Sequence, residues 1–114
     1  MSPPTGFVEK PAGPVVFGEV REAGRLLGYV YTSAVEDALG FINVSSAGDF
    51  GGNVSMLWFD LFMFHWERKL KPAQAIREME GGQSPGEGCG HLVPGSVVRT
   101  ADSYAALASL AASS

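Results

Sequence analysis

The stretch NVSMLWFDLFMFHWERKL, residues 53–70, decides the fold. Five of the chain's twelve aromatic residues fall between Trp58 and Trp66. Read as a strand, both alternating faces of 54–66 are almost wholly apolar, and thirteen residues is long for one strand. Read as a helix, Leu57, Leu61, Phe64 and Arg68 share one face, and Trp58, Phe62, Trp66 and Lys69 occupy the neighbouring one. Asn53 or Ser55 can cap its start, and the cations of WERKL suit its end. The helical reading is therefore preferred, and it leaves Asp60 as a carboxylate inside an apolar segment. A buried charge there needs a donor, either from the Ser/Asn-rich loop at 45–53 or from Arg25.

Upstream, VVFGEV (15–20) and RLLGYVYT (25–32) flank a short Gly-containing connector, the pattern of a β-hairpin. Gly28 inside the second run marks a bulge or a close contact. SAVEDALG (33–40) reads as a short helical turn, with Ser33 and Glu36 at capping-box spacing, followed by a third strand at 40–44. The glycine-rich 45–53 reads as a loop. Downstream, Pro72 opens a second helix over 72–80 that Gly81-Gly82 ends. Residues 91–99 can supply another strand, and 102–113 form a C-terminal helix with Asp102 as its cap. Residues 1–14, with four prolines, form an extended arm, and 15–114 form one domain. The expected class is α+β: a small, mainly antiparallel three- to four-stranded sheet packed against the long aromatic helix, with a helix at the C-terminus.

Composition narrows the function classes. At 114 residues, 46% hydrophobic and 18% charged, the chain can bury a core of its own. Net charge is −4, and the only cationic cluster is Arg68-Lys69-Leu70-Lys71, too little for a nucleic-acid surface. The longest apolar run, 56–66, is short of the roughly 20 residues a membrane helix needs. One cysteine and an opening MSPPTGFVEK without an apolar leader point to the cytoplasm.

Motifs for chemistry fail on residue type. GGQSPGEGCG (81–90) holds five glycines but no lysine, so it is not a P-loop, and Gly86-Glu87-Gly88 is not completed to a dinucleotide fingerprint. It reads as an exposed, flexible connector in which Cys89 is open to thiol reagents. The three Cys and His residues, Cys89, His65 and His91, fall short of the four ligands structural zinc prefers, so no metal or cofactor is expected.

Two functions remain. The first is a non-catalytic protein-binding module of the inhibitor, immunity or escort type, acting through an aromatic helix face and pairing with itself or with another protein. The second is a small enzyme or small-molecule-binding domain with an apolar pocket between sheet and helix. The candidate residues are Trp58, Phe59, Asp60, Phe62, His65 and Trp66 on the helix, with Tyr29 and Tyr31 on the hairpin. A helix apolar nearly all round cannot be hidden by one sheet, so a two-fold homodimer through its aromatic face is expected. A monomer follows instead if the N-terminal arm and the 45–53 loop fold over that face.

Overall fold

The computed structural model describes residues 6–33 and 35–114, with no account of the side chains of 49–52. β1 (Val15–Glu22) and β2 (Arg25–Ser33) form the expected hairpin. Its two-residue turn, Ala23-Gly24, has positive φ at both positions (51° and 82°), the geometry whose twist matches that of the flanking strands. β3 (Leu39–Asn43) pairs with β2. A 3₁₀ turn (Ser45–Ala47) leads into α1 (Gly48–Glu67), followed by α2 (Pro72–Glu80), β4 (His91–Leu92), β5 (Arg99–Ala101) and α3 (Tyr104–Ala112). The sheet runs β3-β2-β1-β4, with β5 also on β1, and every strand pairing is antiparallel. The α+β architecture is as expected, with one strand more because 91–101 contributes two short pieces.

Strand alternation divides the sheet into two faces. Gly28, Val30 and Phe41 share one, and Trp58 of α1 stacks on Phe41 with centroids 5.7 Å apart and planes 3° from parallel. Gly28 is required there: a Cβ would collide with the Ile42 carbonyl and lie 2.5 Å from the Phe41 ring. A bulge between Val20 and Arg21 lies beside it. Phe17, Tyr29 and Tyr31 share the opposite face, where Tyr31 meets Tyr104 of α3 and the Arg99 guanidinium lies 4.9 Å from the Phe17 centroid. The sheet is thus a middle layer, with α1 on one side and α3 on the other.

The connections after α1 and α2 use the same motif. At the end of α1, Leu70 N–H bonds to the His65 carbonyl (3.1 Å) and Lys69 N–H to the Trp66 carbonyl (2.9 Å). At the end of α2, Gln83 N–H reaches the Glu78 carbonyl (3.2 Å) and Gly82 N–H that of Met79 (3.1 Å). The pivot residue must be left-handed. Gly82 adopts φ 112° without a Cβ penalty, whereas Lys69 is held at 62° by the surrounding bonds.

Four expectations need correction. α1 begins at Gly48 rather than near residue 54, because the chain is anchored just before it: Val44 and Ala47 are buried and Val44 N–H bonds to the Leu27 carbonyl (3.0 Å). Packing of a face outweighs the poor helix propensity of glycine. Neither Asn53 nor Ser55 is the cap, since both lie within the helix. Residues 35–38 form a bend and an isolated bridge instead of a helical turn, with Val8 of the arm pairing with Ala38; Ala34 lies outside the described residues. Ser103, not Asp102, caps α3, its hydroxyl accepting from Ala106 N–H (3.0 Å). Of the arm, residues 1–5 lie outside the described part and 6–14 contain no helix. Among the described residues no helix is long and apolar enough to cross a membrane.

Candidate functional site

The eight residues singled out from the sequence separate into three environments. Trp58, Phe62 and His65 are buried under α1, against the sheet and α2. Tyr29 and Tyr31 are buried on the opposite face of the sheet, so they do not join the helix residues in one pocket. Phe59 and Trp66 are half-buried, and Asp60 is exposed. Phe7 of the N-terminal arm packs edge-on against Trp66, with centroids 5.1 Å apart and planes at 84°. The arm therefore covers the Trp66 flank of α1.

The buried group takes part in two separate sets of polar contacts. The Trp58 indole donates to the Cys89 carbonyl (2.9 Å). His65 Nε2 lies 2.6 Å from Gln83 Oε1, and Gln83 Nε2 faces Glu78 Oε1 at 3.5 Å. Because a carboxylate accepts only, the Gln83 amide nitrogen must face Glu78 and its oxygen must face His65. His65 Nε2 then carries a proton, and Nδ1 is buried without a hydrogen-bond partner among the described residues. Glu78 is held in turn by Arg68 (2.9 Å). This chain locks the end of α1 to the end of α2, a structural task.

Cys89 corrects the flexible-loop expectation. It is buried, burial together with the Glu22 charge pushes its thiol above the usual range, and its neighbour Gly90 donates to Glu22 Oε2 (3.1 Å). The Ser84 hydroxyl bonds to the Gly90 carbonyl (2.8 Å), so the Cys89-Gly90 end of 81–90 is packed while Gly86 and Glu87 stay exposed. The signal was the indole N–H of Trp58, which needs an acceptor once buried. Tyr31 is likewise held above its usual phenol range by burial, with the Tyr104 and Glu9 charges adding to the effect. Its hydroxyl donates to the Glu9 carbonyl, which ties the arm to the sheet.

Among the described residues, an apolar helix arc and a groove stand open to solvent. The first is an arc of α1 carrying Met56, Leu57 and Phe64, exposed by 70%, 44% and 49%, with Asp60 in the middle. Arg68 lies 5.2 Å from the Phe64 centroid at its C-terminal end. The second is a groove of about 780 Å³ between α2, the 35–37 bend and the 95–98 segment. Val16, Pro72, Ile76 and Val97 line it, and Val35 and Val98, exposed by 77% and 74%, form part of its edge. A smaller hollow of about 430 Å³, beside Phe7, Trp66 and Lys69, shares Asp37 and Lys71 with the groove. The Lys71–Asp37 ion pair (3.2 Å) therefore stands between the two. Neither surface was identified from the sequence. Among the described residues no group of three or more His, Cys, Asp or Glu side chains is placed to hold a metal. No protein-family model, curated protein or solved structure matches this chain.

Proposed function

We propose that this protein is a non-catalytic binding module whose working surface is the outer arc of α1, formed by Met56, Leu57, Asp60 and Phe64. One observation carries the reading: after the core has taken Trp58, Phe62 and His65, three large apolar side chains of the same helix still stand in solvent. A clustered apolar patch on a small domain marks an interface more often than single scattered residues do. Asp60 at its centre supplies one polar group for register and keeps the patch soluble. The occupant that asks least of the sequence is a second copy, two α1 helices packing antiparallel across a two-fold axis. Inhibitor, immunity and escort proteins act in the same general way, through a face rather than a catalytic group. A lone thiol without a disulfide partner suits a reducing, cytoplasmic setting.

Sedimentation equilibrium across a dilution series tests the proposal. The expected result is a reversible dimer that Phe64→Glu converts to a monomer with unchanged circular dichroism. Phe62 is unsuitable for this purpose, because it is buried and a charge there would unfold the chain. A wild-type protein that stays monomeric at high concentration overturns self-association.

A further inference from the structure

We infer that the groove between α2 and the 95–98 segment is a second binding site, for an extended apolar peptide segment carrying a lysine or arginine. The charge around the groove is one-sided. Glu36, Asp37 and Glu80 line it against a single cation, Lys71, whose ammonium already lies 3.2 Å from Asp37. Two of these carboxylates are oriented by the backbone: Glu36 Oε2 accepts from Ala12 N–H (2.7 Å) and Glu80 Oε2 from Gly95 N–H (2.5 Å). Each carboxylate has a second oxygen, and in the described structure no hydrogen bond or ion pair to that oxygen is formed. An acidic rim set by the fold attracts a cation and repels an anion.

The apolar surface fits the rest of such a segment. Val16, Ile76 and Val97 lie beneath, and Val35 and Val98 flank the opening. In an extended chain, alternate side chains project to opposite sides. Apolar residues can then face the floor while intervening cations meet Glu36 and Glu80. A small molecule is the weaker match, because a drug-sized ligand buries most of its surface and this groove is open along its length. The site lies apart from the Met56–Phe64 arc and does not depend on it.

The test uses the full chain and three probes: the peptides acetyl-VKVKV-amide and acetyl-VEVEV-amide, and hexylamine. Amide resonances are followed during titration. The expected result is saturable shifts centred on Thr32, Ser33, Val35, Val97 and Val98 with the lysine peptide, and none with the glutamate peptide. Glu36→Gln and Glu80→Gln keep an acceptor for Ala12 and Gly95 and should stay folded. Each should weaken the lysine peptide about threefold, and the pair about tenfold, the scale of a solvent-exposed charge contact. Equal binding of both peptides, shifts centred elsewhere, or full affinity in the double variant overturns the site. Hexylamine binding as tightly as the lysine peptide overturns the peptide assignment.

Discussion

Trp58→Phe is the most informative single change in the core. The indole is fully buried, stacks on Phe41, leans on Phe62 at 6.1 Å and donates to the Cys89 carbonyl at 2.9 Å. Phenylalanine keeps the apolar ring and removes the donor. The orphaned carbonyl costs about 1–3 kcal/mol. The smaller ring leaves a void worth about 1–2 kcal/mol more, below the cost of truncation to alanine. The sum, about 2–5 kcal/mol, is a large fraction of what a domain of this size has in total. It should lower Tm by roughly 8–20 °C while leaving a folded protein. Urea unfolding followed by far-UV circular dichroism gives the difference, with the slope m unchanged if the denatured state is unaffected. Trp66→Phe serves as the reference, because Trp66 is half-buried and its ring packs edge-on against Phe7. It should cost less than about 1.5 kcal/mol. Acrylamide should quench Trp66 more readily than Trp58. A Trp58→Phe cost below about 1 kcal/mol, or equal costs at the two tryptophans, would refute the assignment of Trp58 as the link between α1 and the 84–90 segment.

Two further outcomes follow from the perturbed groups. Burial and the Glu22 charge raise the Cys89 thiol, so little thiolate exists at pH 8, and a disulfide reagent should label it only as the protein unfolds; rapid native labelling contradicts the packed loop. Burial raises the Tyr31 phenol above its unfolded value of about 10, so its stabilising contribution is complete below pH ~10 and is lost as pH climbs towards the raised value. Urea midpoints measured from about pH 9 upward should therefore fall more steeply for the wild type than for Tyr31→Phe; identical slopes would show that Tyr31 is not the group responsible.

Much of the fold was legible because its boundaries were set by residues with one conformational meaning. Pro72 and Gly81-Gly82 delimit α2 to the residue, and the hairpin followed from two β-branched runs around a glycine. The start of α1 was not legible, because glycine and serine signal a loop and only the tertiary anchor at Val44 overrides them. The site was harder for a related reason. A helix apolar on nearly every side has no phase, so periodicity cannot tell whether Phe62 or Phe64 faces the sheet. Asp60 held the answer: it marks the middle of the solvent arc, which puts Met56, Leu57 and Phe64 outside. Gly28 held the other answer. A glycine in mid-strand leaves room for a ring from a neighbouring strand, so α1 lies on the Gly28 face and Tyr29 and Tyr31 turn away from it. The groove has no sequence signature, since it is assembled from four separated segments.

The treatment of β1 has a consequence for how copies of this protein can stick together. Its outer side pairs with β4 at Val20–Arg21 and with β5 at Val15–Phe17. In the gap between them, the Ser96 hydroxyl accepts from Glu19 N–H (3.0 Å) and Val93 N–H donates to the Glu19 carbonyl (2.9 Å). Two fragments and one serine thus seal the whole flank of the longest hairpin, and no incoming strand finds a row of free amides there to template on. The opposite flank, β3, is met near its start by Val8 of the arm. Ribbon-like growth, the usual hazard of a small sheet with bare edges, is thereby blocked on the β1 side without a proline or lysine guard in that strand.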